Sequence, residues 1–125
     1  MEGGQTNEFR PLILVAEDDD SNFKLIKAII GKKCDIQWAK NGEEIVALFK
    51  EYGNEAKAIL MDIKMPVMNG LDATKIIREE NKEIPIIMQT AYAFSSDKEN
   101  AMNAGASEVL VKPITLSILR GTLTK

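Results

Sequence analysis

Ala58-Ile59-Leu60-Met61-Asp62 is an apolar run that ends in a carboxylate, and Ile63-Lys64-Met65-Pro66-Val67-Met68-Asn69-Gly70 follows it as a loop carrying proline and glycine. Four apolar residues in a row, with no polar alternation, suit a strand buried on both faces, which belongs in a parallel sheet covered by helices. Leu12-Ile13-Leu14-Val15-Ala16 and Ile84-Pro85-Ile86-Ile87-Met88 have the same character, and Ile36-Gln37-Trp38-Ala39 and Val109-Leu110-Val111 add two shorter runs. Amphipathic stretches lie between them. Phe23, Ile26, Lys27 and Ile30 recur at helical spacing before Gly31; Asn41-Gly42 precedes a segment with Ile45, Leu48 and Phe49 on one face. Further helices are predicted from about Leu71 to Glu80, from about Ser96 to Ala104 with Gly105 beyond it, and from Thr115 onward with Leu116, Leu119 and Leu123 on one stripe. Five strand-then-helix units predict an α/β fold: a doubly wound, five-stranded parallel sheet with right-handed crossovers and helices on both faces.

The 125 residues and 45% apolar content match one domain with a single packed core. Residues 1–11 are polar, with Gly3-Gly4, and predict a linker or a vector-derived remnant; residues 12–125 form the domain. A net charge of −3 with 28% charged residues argues against a basic nucleic-acid binder and against a disordered acidic tail. No apolar run approaches the roughly 18 residues of a membrane span, and no signal segment is present, so a soluble, cytoplasmic setting is expected. A single cysteine, Cys34, excludes an internal disulfide. The absence of histidine excludes His-ligated zinc, Ser-His-Asp triads and histidine general bases.

In a doubly wound sheet the functional crevice lies at the carboxyl ends of the strands. The sequence places Glu17-Asp18-Asp19-Asp20 after the first strand, Asp62 at the end of the third, Thr90 at the end of the fourth and Lys112-Pro113 at the end of the fifth. Asp19 and Asp20 read as an N-cap and first-turn charge of the following helix. Converging carboxylates repel one another unless a cation neutralises them, and a hard divalent ion held by one or two carboxylates commonly also binds a phosphate oxygen. An ammonium group and a hydroxyl at neighbouring strand ends complete a set that could balance an aspartyl phosphate. Trp38, on a different strand, is not expected to report on this pocket.

Glu17-Asp18, Asp62 with Met65-Pro66-Val67-Met68-Asn69-Gly70, Thr90-Ala91 and Lys112-Pro113 resemble, in order and spacing over roughly residues 12 to 124, the signature set of receiver domains of two-component response regulators. The resemblance implies a flavodoxin-like fold with strand order 2-1-3-4-5. It implies Asp62 as phosphoacceptor, with Mg²⁺ held by Asp18 and Asp62, by Glu17 largely through water and by the main-chain carbonyl of Lys64. Thr90 and Ala91 would bind the phosphoryl group, Thr90 as switch hydroxyl, and Lys112 would form the ion pair. The Lys112-Pro113 bond would be cis. The loop also has a mechanical reading of its own: proline stiffens the exit from the third strand, and Gly70 tolerates positive φ before the helix.

Two positions depart from the usual pattern: Glu17 stands where aspartate is commoner, and Val109 stands where many receivers carry a switch aromatic. Tyr92 is the candidate gate in its place. The implied partner is a histidine kinase or a histidine phosphotransfer domain, since no histidine is present to act as donor. Asn22, shortly after the acidic pair, resembles receivers attached to hybrid sensor histidine kinases. The isolated domain would then be a phosphoacceptor with self-catalysed phosphoryl uptake and hydrolysis, not an enzyme in its own right. Two alternatives are a binding-only pseudo-receiver and an aspartyl-phosphate phosphatase of the haloacid dehalogenase type. The latter needs Asp-x-Asp, whereas Asp62 is followed by Ile63 and Lys64.

Overall fold

The computed structural model describes residues 10–91 and 96–112. Five strands alternate with helices: β1 (Leu12–Ala16), α1 (Asp20–Ile30), β2 (Asp35–Ala39), α2 (Gly42–Tyr52), β3 (Ala56–Asp62), α3 (Gly70–Glu80), β4 (Ile86–Thr90), α4 (Ser96–Ala104) and β5 (Glu108–Val111). All four strand pairs are parallel, and the order is β2-β1-β3-β4-β5, as the family resemblance implies. The fifth helix expected from Thr115 onward lies outside the described residues.

The central strands are buried on both faces, and each face has its own core. Leu14, Ile59, Met61, Ile86 and Met88 pack with Ile45 and Phe49 of α2 and Ala73 and Ile77 of α3. Alternate residues Ile13, Val15, Leu60 and Ile87 pack with Phe23, Ile26 and Ile30 of α1. The unbroken apolar runs are therefore two interleaved period-2 sets, one for each helix layer.

Side-chain caps start the helices where the sequence predicts. Asp19 accepts a hydrogen bond from Ser21 N at 3.1 Å, Asn41 from Glu44 N at 2.9 Å and Asn69 from Asp72 N at 2.9 Å. Asp20 sits in the first turn of α1, next to the positive end of the helix dipole. In the polar leader, Arg10 is tied down: its guanidinium donates to Lys32 O at 2.8 Å, to Gly31 O and Cys34 O at 3.0 Å, and to Asp35 Oδ1 at 2.8 Å.

The fourth strand starts two residues later than its apolar run, at Ile86, and ends at Thr90 as expected. Pro85 has no N–H to give the ladder, although its carbonyl accepts from Ile59 N at 2.9 Å. It runs through Gln89 to Thr90, both buried despite their polarity.

Candidate functional site

The carboxyl edge of the sheet begins at Glu17, which is fully buried. Its N–H donates to Ala39 O at 2.9 Å and its carbonyl accepts from Trp38 Nε1 at 2.8 Å, so β2 holds its backbone from both sides. Its carboxylate is equally constrained. Oε2 accepts from Asp19 N at 3.1 Å, and Oε1 accepts from Asn22 Nδ2 while lying 3.4 Å from Lys112 Nζ. Trp38 thus abuts the site, contrary to expectation: β2 and β1 pair in register, with Ala16 opposite Ala39, and the indole reaches across to the residue after β1. Phe23 stacks on Trp38 with ring centroids 3.8 Å apart, fixing the indole.

Asp62 ends β3 and is buried. Lys112, directly after β5, donates to Asp62 Oδ2 at 3.0 Å, and its own N–H donates to Thr90 O at 2.8 Å. One carboxylate oxygen each of Glu17, Asp18 and Asp62 lies within 4.8 Å of the others. Asp18 is exposed, whereas Glu17 and Asp62 are buried. This oxygen-only donor set suits a hard cation such as Mg²⁺, with room for waters on the open Asp18 side.

The electrostatics show the strain of collecting these charges. Burial, then the neighbouring Glu17, push the Asp62 carboxyl up to about 7, against the opposing pull of Lys112. For Lys112, burial works against the ammonium, but hydrogen bonding and attraction from Asp62 and Glu17 outweigh it and raise its pKa. A bound divalent cation would relieve the carboxylates in the way the ammonium does only in part.

Beside this cluster lies a cavity of about 150 Å³ lined by Asp62, Lys64, Thr90, Ala91, Asp97 and Lys112, among others. Lys64 Nζ stands 3.7 Å from Asp97 Oδ2, linking the loop after β3 to the first turn of α4. Thr90 is buried at the end of β4. Val109 faces Met88 across the β4–β5 pair and packs on the α2/α3 core, away from this cavity. Tyr92 and Pro113 lie outside the described residues.

The loop after β3 corrects one expectation. Gly70 does not use its tolerance of positive φ: among the described residues, positive φ occurs at Val67, at 69°, and at Gly105. Met68 N donates to Pro66 O at 2.7 Å, so Val67 is the centre of a γ-turn. Gly70 is required by close approach instead. A Cβ there would lie 2.2 Å from Asp62 O, and the Gly70 N–H donates to Ile63 O at 2.8 Å. Gly42 makes the matching contact from α2, donating to Met68 O at 2.8 Å with no room for a Cβ. The loop is thereby pinned on two sides while it carries Lys64 past the cavity.

Sequence reasoning brought together Glu17, Asp18, Asp62, Lys64, Thr90, Ala91 and Lys112, and the structure places all seven at this edge. It missed Trp38, Asp97 and Gln89. Strand alternation could have flagged Gln89, which occupies an inward position next to Thr90.

Residues 13–124 match the response regulator receiver domain model. The chain is 42% identical over 115 residues to hybrid signal transduction histidine kinase I of Dictyostelium discoideum, covering 86% of this chain and 7% of that protein. It is 38% identical over 104 residues to the autoinducer 2 sensor kinase/phosphatase LuxQ of Vibrio vulnificus, covering 82% of this chain and 12% of that one. The chain thus spans only a small fraction of these relatives. Among solved structures, the receiver domain of sensor histidine kinase PA1611 from Pseudomonas aeruginosa, with magnesium coordinated in its cleft, superposes with a TM-score of 0.86 at 31% identity, covering 93% of this chain and 96% of that one. The receiver domain of Ssk1 from Saccharomyces cerevisiae, bound to the histidine phosphotransfer protein Ypd1, gives 0.83 at 30% identity, covering 92% and 87%. The chain belongs to the receiver domain family of two-component response regulators.

Proposed function

We propose that Asp62 accepts a phosphoryl group from a phosphohistidine on a histidine kinase or histidine phosphotransfer domain, and that the change in charge switches the surface around Thr90 and α4. The observation that carries this reading is the convergence of Glu17, Asp18 and Asp62 within 4.8 Å, with Lys112 bridging two of them. The 125 residues contain no histidine, so the donor imidazole belongs to another protein or domain. An Asp62 oxygen attacks phosphorus, the P–N bond to the donor breaks, and the electron pair and a proton remain with the imidazole.

Glu17, Asp18, Asp62 and the carbonyl of Lys64 would hold Mg²⁺, which supplies charge neutralisation for the carboxylates and the incoming phosphoryl oxygens. Asp62 must be ionised to attack. Burial and Glu17 raise its pKa to about 7, and a cation held by these carboxylates would favour the ionised form at neutral pH. Lys112 balances the added charge, Ala91 lines the phosphoryl side of the cavity, and Thr90 offers a hydroxyl donor to a phosphoryl oxygen. With no aromatic at Val109, Tyr92 is the side chain that would gate the loop after Thr90.

The hybrid-kinase relatives and Asn22 support a larger hybrid histidine kinase as the parent protein, and its partners would place the domain in the cytoplasm. Among the described residues no helix is long and apolar enough to cross a membrane. The intact set of Asp62, Thr90 and Lys112 favours phosphoryl uptake over a binding-only role. Incubation with a ³²P-phosphorylated histidine phosphotransfer protein and Mg²⁺ tests the reading: label should pass to this domain as an acid-stable, base-labile group. Retention of all label on the donor would refute it.

A further inference from the structure

Gln89 is fully buried, yet one end of its amide is unpaired among the described residues. Its Oε1 faces Asn22 Nδ2 at 3.5 Å, and the same Asn22 nitrogen donates to Glu17 Oε1. Gln89 Nε2 has no hydrogen-bond partner among the described residues. Most buried polar groups are paired, so an orphaned donor on a strand residue that also lines the cavity beside Asp62 and Thr90 asks for a reason.

The orientation of both amides follows from Glu17. An ionised carboxylate only accepts, so Asn22 must turn its NH₂ toward it. That NH₂ has two hydrogens, and the second needs an acceptor. Gln89 supplies one by presenting Oε1, which leaves its own NH₂ pointing away from the pair. Turning Gln89 around would set two NH₂ groups against each other, and turning Asn22 as well would set an amide oxygen against the carboxylate. The orphaned donor is therefore the consequence of serving Glu17. A methionine of similar length would fill the same site and leave no donor unpaired, as Met88 does on the opposite face of the strand.

We propose that Gln89 is a positioning residue of the metal centre: acting through Asn22, it holds the Glu17 carboxylate in the orientation that receives a divalent cation, at the expense of fold stability. This rests on the reading of Glu17, Asp18 and Asp62 as the Mg²⁺ site. It extends the site by a layer, since Gln89 pairs in register with Asp62 on the neighbouring strand and directly precedes Thr90. A rigid supporting layer of this kind typically changes metal affinity by about 10- to 100-fold when removed.

The test measures Mg²⁺ affinity by amide NMR and, separately, the urea unfolding midpoint in EDTA, for the unaltered domain and for Gln89→Met, Gln89→Leu, Asn22→Ala and the Asn22→Ala/Gln89→Met double variant. Gln89→Met should weaken Mg²⁺ binding by about tenfold while its metal-free midpoint stays equal or rises, because the unpaired donor is gone. Gln89→Leu, shorter and branched, should show the same loss of affinity. The double variant should bind no more weakly than Asn22→Ala alone, since Gln89 acts only through Asn22. Unchanged affinity in both Gln89 variants overturns the proposal, as does a lower metal-free midpoint in both, which would make the amide structural. Failure of the unaltered domain to bind Mg²⁺ overturns the metal reading itself, and this inference with it.

Discussion

Lys112 Nζ stands 3.0 Å from Asp62 Oδ2, joining the end of β5 to the end of β3. The same ammonium lies 3.4 Å from Glu17 Oε1, so one cation holds two buried carboxylates together. Lys112→Met leaves that pair facing each other without a counter-charge. The metal-free protein should lose about 1–3 kcal/mol of stability at neutral pH, and Mg²⁺ should restore a large share of it. Urea unfolding with and without Mg²⁺ measures both effects.

The raised pKa of Asp62 sets a pH dependence. The folded protein keeps that proton up to about 7, whereas the ordinary carboxyl value is 3.8, so the folded state binds more protons across that interval. Metal-free stability should therefore fall as pH rises from about 4 to about 7, the reverse of the usual carboxylate behaviour. Thermal melts in EDTA should show this decline, and Asp62→Asn should flatten it. Saturating Mg²⁺ should reverse the slope, because cation binding favours the ionised form.

Trp38 should report on the site. Its Nε1 donates to Glu17 O at 2.8 Å, and Phe23 stacked against it limits other motion. Mg²⁺ should change its emission with a saturable dependence that is weakened in Asp18→Asn, where one ligand has lost its charge. A fluorescence titration read beside amide shifts of Asp18 checks that both follow one binding event.

The loop after β3 offers two opposite substitutions. Gly70→Ala drives a Cβ into Asp62 O and should cost about 1–3 kcal/mol. Val67→Asn, at an exposed residue with φ 69°, should instead stabilise by about 1 kcal/mol, since asparagine tolerates the left-handed region better than a β-branched residue. Chemical denaturation of the two variants distinguishes close approach from turn strain.

The switch should run through Thr90 and not through Val109. Val109 packs on the α2/α3 core and does not line the cavity. Beryllofluoride should shift amides over residues 90–96 and leave the methyl groups of Val109 nearly still. Thr90→Ala should retain phosphoryl uptake and lose most of that loop response. Large shifts confined to Val109 and β5 would contradict this route.

Much of this architecture is legible in the residues. The double-sided burial of β1, β3 and β4 is written in Leu12–Ala16, Ala58–Met61 and Ile86–Met88, and the caps Asp19, Asn41 and Asn69 mark three helix starts. The carboxyl-edge residues follow once those strands are placed. What escaped the reading depends on contacts between strands. The β1–β2 register alone decides that Trp38 reaches Glu17, and Pro85 delays the start of β4, so that polar Gln89 becomes a buried strand residue ahead of the expected end at Thr90. The role of Gly70 likewise depends on how near Asp62 O comes, a distance that no local preference encodes.

Phosphoryl uptake at a single carboxylate tests the central claim most directly. Intact-mass spectra after incubation with acetyl phosphate or phosphoramidate and Mg²⁺ should show one added phosphoryl group on the unaltered domain, and none when EDTA replaces Mg²⁺ or when Asp62→Asn is used. Equal phosphorylation of the Asp62→Asn variant would contradict the account, since the acceptor would then lie elsewhere than at the end of β3.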